Sequence, residues 1–136
     1  MIIPFYYALP SENFEKLDAS SVEDRADFMW DDGERETPEI PSTDVDKFFD
    51  EIQEAIARET GDADLANSAV FGKEDWDGEN VTDGMRINRP DEVSRVAQAL
   101  NTINQDVVEN VANMRFLVKF YDEAAKRGDA MVIMFN

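Results

Sequence analysis

Two strongly apolar segments, one near each end of the chain, constrain the fold more than any other feature. Residues 2–9 are apolar and aromatic up to Pro10, and residues 130–135 are the longest wholly apolar run of the sequence. Both runs are too short to span a membrane, which requires roughly 20 apolar residues. Short apolar runs of this kind predict buried strands. We expect the two strands to lie side by side in one sheet.

The segments between these strands show mainly helical periodicity. Apolar residues recur at helical spacing within residues 12–17, 22–29, 45–60, 64–71, 90–103 and 106–126. Thr43 and Asp46 resemble a capping box before the third helix, and the last pattern is expected to break near Asn113. Met85 and Ile87 predict a further short strand. We therefore predict one α+β domain over residues 1–136, with a small mixed sheet that includes both terminal strands and about four to six helices.

The chain contains no cysteine and no histidine. Disulfides, thiolate catalysis, histidine bases and the usual zinc sites are therefore excluded. A calcium loop beginning at Asp75 fails, since Asn80 stands where glycine is required and Arg86 where a carboxylate is required. No nucleotide-binding or nucleophile motif is present. We expect no cofactor, no metal site and no catalytic residue.

The net charge of −18 is unevenly distributed along the chain. Residues 11–64 hold 19 acidic and 5 basic residues, a net charge of −14. Such a field repels nucleic acid and anionic membranes and accelerates encounter with a basic protein. The alternative is that the acidity only confers solubility. Because the first residues lack a basic leader and a cleavage site, we expect a cytoplasmic location.

The residues that we predict to contact a partner lie mainly in an acidic loop around residues 31–42 and on the outer face of the following helix. They are Trp30, Asp31, Asp32, Glu34, Glu36, Asp44, Asp50, Glu51, Glu54 and Trp76. Core filling is the default for either tryptophan, although a tryptophan among carboxylates is also typical of a binding hot spot. Arg86 and Arg89 flank a predicted strand, where they form either a small anion site or ion pairs with neighbouring acids.

Several segments resemble the YfbM-like family, small bacterial proteins that share a domain of unknown function. The resemblance rests on residues 5–17, on residues 45–49, on Arg89-Pro90-Asp91-Glu92-Val93 with the helix that follows, and on residues 120–125 before the last strand. It implies a compact α+β fold with an unassigned function. The family supplies no catalytic residues to carry over.

Three functional hypotheses follow from these features. The first is an inhibitory or immunity-type protein that occludes a basic partner, such as a toxin or a nucleic-acid enzyme. The second is a nucleic-acid mimic, for example a phage inhibitor of a host defence nuclease, whose carboxylates replace phosphates. The third is a small-molecule binder or an enzyme of unknown activity, which requires a cleft with convergent polar groups.

Overall fold

Five strands in the part of the chain that the structure describes form one antiparallel sheet. The computed structural model describes residues 2–29, 40–76 and 84–135. The strands are β1 Pro4–Leu9, β2 Ser42–Asp44, β3 Glu74–Asp75, β4 Met85–Asn88 and β5 Ala130–Phe135, in the order β2-β1-β5-β4-β3. The two terminal strands pair over six residues, from Pro4 opposite Phe135 to Leu9 opposite Ala130. The α+β class and the pairing of the terminal strands are confirmed.

Seven α-helices lie within the described residues. They are α1 Ser11–Asp18, α2 Val22–Met29, α3 Phe49–Thr60, α4 Ala63–Phe71, α5 Pro90–Leu100, α6 Gln105–Asn110 and α7 Met114–Arg127. The count exceeds the expected four to six because the last helical pattern divides into α6 and α7. The division falls where predicted, at Asn113, whose φ of 66° interrupts the helix. All pairings between the described strands are antiparallel, whereas a mixed sheet was predicted.

The sheet separates two apolar clusters. Tyr6 and Ile133 face the larger cluster, which packs against α3, α4, α5, α6 and α7. Leu9 and Val132 face the smaller cluster with Phe14 of α1 and the last residue of α2. Successive strand residues point to opposite faces, so continuous apolar runs in β1 and β5 are what a sheet covered on both sides requires. The fold is therefore three layers, with α1 and α2 on one face and the other helices on the opposite face.

Residues 42–48 differ from the predicted helix start. Thr43 lies in β2 opposite Tyr6, so the predicted capping box is wrong. A short 3-10 helix, Asp46–Phe48, then leads into α3, and the Asp44 carboxylate accepts a 2.9 Å hydrogen bond from the Asp46 amide. The edge strand takes these residues because its backbone pairs with β1, which local helical spacing does not report.

Both edges of the sheet are short and acidic. Asp44 ends β2 at one edge, and β3 at the other edge consists of Glu74 and Asp75. Short charged edge strands discourage edge-to-edge aggregation. No helix in the described ranges is both long and apolar enough to cross a membrane.

Candidate functional site

The C-terminal end of α4 is closed by side chains from other elements. The last four carbonyls of a helix have no partner within it. In α4, two of them accept hydrogen bonds from buried tyrosines: Tyr121 Oη donates to Ala69 O at 2.7 Å, and Tyr6 Oη donates to Val70 O at 2.8 Å. Burial is the main cause that raises the pKa of both phenols, so both remain protonated donors.

Strand β4 supplies the donors for the other two carbonyls. Asn88 Nδ2 donates to Ser68 O at 2.7 Å and to Tyr121 Oη at 3.0 Å. Arg86 Nε donates to Phe71 O at 3.0 Å. All four terminal carbonyls of α4 therefore have side-chain donors, which fix the end of this helix against the sheet and α7.

A buried carboxylate lies beside this helix end. Asn88 Oδ1 accepts from the Lys73 amide at 2.9 Å, which brings the lysine side chain toward Glu92 of α5. Glu92 Oε1 accepts from Arg95 Nη2 at 2.6 Å, and Lys73 Nζ lies 3.4 Å from Glu92 Oε2. Burial raises the pKa of Glu92, but the hydrogen bonds and charges of Arg95 and Lys73 outweigh it and hold the pKa below its ordinary value.

These cations border an open polar groove between α4 and α5, here called the α4–α5 groove. Its volume is about 370 Å³, and its lining residues are Asp62, Asp64, Asn67, Ser68, Lys73 and Arg95. Asp64, Asn67 and Ser68 share one face of α4, because residues three and four apart are neighbours on a helix. The groove therefore presents carboxylates, an amide, a hydroxyl and two cations to one small volume.

Trp76 lies in the core and not on the surface. It is 2% exposed, and its Nε1 donates to Asp18 Oδ1 at 3.2 Å. The same carboxylate accepts from Arg89 Nη1 at 2.9 Å, and Arg89 Nε donates to Glu74 at 2.8 Å. Hydrogen bonding from Arg89 is the largest cause that lowers the pKa of Asp18. Burial excludes Trp76 as an exposed partner contact, while Arg89 forms the ion pairs that one interpretation of the sequence expected.

Arg86 also pairs with a neighbouring acid. Its guanidinium forms an ion pair with Asp75 and donates to Gly72 O at 3.0 Å. Neither Arg86 nor Arg89 therefore remains a free cation for an anion site. This arrangement agrees with the ion-pair interpretation of both arginines.

The predicted acids of β2 and α3 are exposed. Asp44 lies on β2, and Asp50, Glu51 and Glu54 lie on the side of α3 opposite the buried Ile52. We call these four residues the β2–α3 acidic surface. Within the described ranges none of the four forms an ion pair. The remaining predicted contacts, Trp30, Asp31, Asp32, Glu34 and Glu36, lie outside the described residues, as does most of the predicted loop at 31–42.

Comparison with known proteins identifies the family. The profile of the family described as Domain of unknown function (DUF1877) matches residues 1–114. The chain belongs to the DUF1877 family. No curated protein matches the chain.

The DUF1877 fold also occurs in a solved structure. The chain is similar to the crystal structure of YfbM from Escherichia coli, a protein of unknown function, with 12% sequence identity and a TM-score of 0.68. The similarity covers 98% of this chain and 99% of that chain, which confirms the resemblance to YfbM-like proteins. At this identity the likeness establishes the fold alone.

The α4–α5 groove of this DUF1877 protein was not predicted from the sequence. Ser68 and Asn67 occur in a short helix whose apolar pattern indicates only packing, and Lys73 meets Glu92 across 19 positions. The sequence carries no signal for it: Asn88 follows Ile87 in a segment whose apolar and polar residues alternate, which is typical of a strand with one exposed face. Only the structure shows that Asn88 is buried and therefore requires hydrogen-bond partners.

Proposed function

We propose that the protein binds a basic protein partner through the β2–α3 acidic surface and occludes it, as an inhibitor or immunity-type protein, without catalysing a reaction. The supporting observation is that the basic residues are mostly held in ion pairs within the chain, whereas the acids of this surface are not. Nine of the twelve described lysines and arginines form ion pairs within the chain, whereas the four acids of this surface form none. The basic residues are thus largely engaged, and these carboxylates are available.

Free carboxylates on a regular element suit this role. Asp50, Glu51 and Glu54 are held on one side of α3 because Ile52 and Ile56 are fully buried on the other. Their positions are set before binding, which reduces the ordering that association requires. With a net charge of −18, long-range attraction also accelerates the encounter with a cationic protein.

The structure offers a matched control surface on the other face of the sheet. Glu12 and Glu15 of α1 and Glu23 and Asp24 of α2 are also exposed acids without ion pairs among the described residues. The sheet separates them from α3. Charge reversal of either set changes the net charge equally, so the two sets separate a specific surface from a general field.

The test uses two quadruple lysine variants, one of the β2–α3 acidic surface and one of the control set. Affinity purification at low salt with the unchanged protein is expected to recover one basic protein in stoichiometric amount, and the purified pair is then measured by calorimetry. We expect roughly 100-fold weaker binding for the β2–α3 variant and less than about tenfold for the control. Equal losses, or recovery of no stoichiometric partner, would contradict the proposal.

Duplex DNA as a competitor separates the two forms of inhibition. If a short duplex displaces the protein from its partner with a steep salt dependence, the acids imitate phosphates in a nucleic-acid groove. If the duplex has no effect, the partner uses a basic surface that does not bind DNA, as in a toxin–immunity pair.

A further inference from the structure

The α4–α5 groove contains a hydroxyl that has no protein partner and is open to the groove. Ser68 lines the groove and is 4% exposed, and its hydroxyl forms no hydrogen bond to any other described residue. Helical serines often satisfy this group with the carbonyl four residues earlier, which this one does not. No side-chain nitrogen or oxygen of the described residues is both buried and without a partner, so the small exposed part of Ser68 includes its hydroxyl, which is free to form a hydrogen bond with a ligand in the groove.

The two sides of the groove carry opposite charges. Lys73 and Arg95 are 58% and 45% exposed, and each has donors beyond those that contact Glu92, since lysine has three N–H donors and arginine five. On the α4 side, Asp64 is exposed and has no ion pair within the described residues, while Asp62 Oδ2 lies 3.8 Å from Arg95 Nη1. Both a carboxylate and an ammonium group would therefore find opposite charges here.

The charges of the protein favour a ligand that carries both a positive and a negative group. A simple anion is repelled by the net charge of −18, and a simple cation leaves the remaining donors of Lys73 and Arg95 without an acceptor. A molecule that carries both charges is neutral overall and pairs with both sides of the groove. The volume of about 370 Å³ is at the lower end of the roughly 300–1,000 Å³ typical of ligand pockets, which indicates a small molecule.

We infer that the α4–α5 groove binds a small zwitterion, of the class of free amino acids. The carboxylate of the ligand lies against Lys73 and Arg95, its ammonium group against Asp64, and the Ser68 hydroxyl provides the hydrogen bond at the floor. Asn67 is exposed at the rim and offers its amide to either end. This site uses none of the residues of the β2–α3 acidic surface and stands independently of the proposed partner.

The experiment is an NMR titration of the isotope-labelled protein with glycine and with L-serine. The half-ligands acetate and methylammonium serve as single-charge controls. We expect saturable shifts of the amides of residues 62–73 and 92–95 with a Kd of about 1 mM, and shifts at least several-fold smaller for either half-ligand. No shift with either amino acid would overturn the inference, and equal shifts with acetate would replace it with an anion site.

Two variants test the assigned residues. Ser68→Ala removes one methylene-bound hydroxyl without changing the backbone and is expected to weaken binding roughly 3- to 10-fold. Asp64→Asn is at an exposed position. It is expected to weaken the binding of the zwitterion while leaving the response to acetate unchanged. Ser42→Ala, an exposed serine on β2, is the control and should bind like the unchanged protein. Unaltered affinity in both groove variants would contradict the assignment.

Discussion

The Tyr121 hydroxyl donates a 2.7 Å hydrogen bond to the carbonyl oxygen of Ala69, 52 residues earlier in the chain. Both groups are buried, and Asn88 donates to the same hydroxyl. The bond connects α7 to the end of α4, and its loss would leave a carbonyl without its side-chain donor in a buried site. The polar network at this helix end is therefore expected to contribute to stability as well as to the shape of the groove.

Replacement of Tyr121 by phenylalanine tests this contribution. Removing the hydroxyl leaves Ala69 O without its side-chain donor and Asn88 Nδ2 without one acceptor, so we expect the free energy of unfolding to fall by about 1–3 kcal/mol. Urea denaturation measures it. Tyr7→Phe is the matched control, because the Tyr7 hydroxyl has no hydrogen bond within the described residues, and its change should stay within about 0.5 kcal/mol. Equal effects of the two variants would contradict the role of the network.

Gly72 is expected to be intolerant of any side chain. Its φ of 87° and ψ of 149° fall in a region that is essentially restricted to glycine, and an added Cβ would lie 2.9 Å from the Cβ of Arg86. Gly61 also has a positive φ of 67°, but an added Cβ there would meet nothing within 4 Å. We predict that Gly72→Ala lowers stability by at least about 2 kcal/mol and Gly61→Ala by about 1 kcal/mol. Thermal unfolding of the two variants measures both losses of stability. A larger loss for Gly61→Ala than for Gly72→Ala would refute the prediction.

The pKa of Glu92 predicts a pH-dependent contribution to stability. Its folded pKa is below the ordinary value of 4.5, so the unfolded chain binds the proton more tightly. The stabilisation is therefore fully present above about pH 4.5 and is lost as the pH falls through the lower folded pKa. Glu92→Gln should cost about 1–3 kcal/mol at pH 7, and clearly less at pH 3. The quantity to measure at each pH is the difference in the free energy of unfolding between the unchanged protein and the variant, because the other acids titrate in both. A pH-independent difference would disprove the linkage.

Glu54→Lys is predicted to stabilise the protein while it weakens partner binding. Asp50 and Glu51 both lie about one turn before Glu54 on α3, so their like charges repel it. Lysine at this position replaces both repulsions by attractions, which outweigh its one new repulsion with Arg58, four residues later. We expect a gain of about 0.3–0.8 kcal/mol in the free energy of unfolding, and about half of it for Glu54→Gln. Denaturation in low and high salt provides the check, since salt should reduce the gain. A loss of stability in both variants would show that Glu54 has a structural role.

The sequence predicted the elements whose pattern is local. Strands β1 and β5, helices α5 and α7, and the break at Asn113 follow from alternation, helical spacing and a proline at the start of α5. Strands β2 and β3 were not predicted, because three and two residues are too short to show a period and depend on pairing with neighbours. Thr43 was assigned to a helix cap for the same reason.

The candidate site was less predictable than the fold. The exposed acids of α3 follow from its amphipathic pattern, which also places Ile52 inside. Trp76 was ambiguous because its hydrogen-bond partner Asp18 is 58 residues away, and local composition does not report such contacts. The groove depends on Lys73 and Glu92 meeting across two elements, and the free hydroxyl of Ser68 is visible only when its surroundings are known.

The central position of β5 has a consequence for the order of folding. β5 joins β1 to β4, so neither the β1–β5 nor the β4–β5 ladder can form until residues 130–135 have left the ribosome. Helices α3 to α7 are synthesised earlier and meet a sheet that still lacks its middle strand. Because contacts between distant parts of a chain form late, the helical segments must stay unaggregated until β5 has emerged. The high negative charge of the nascent chain opposes aggregation during this interval, because chains of like charge repel one another.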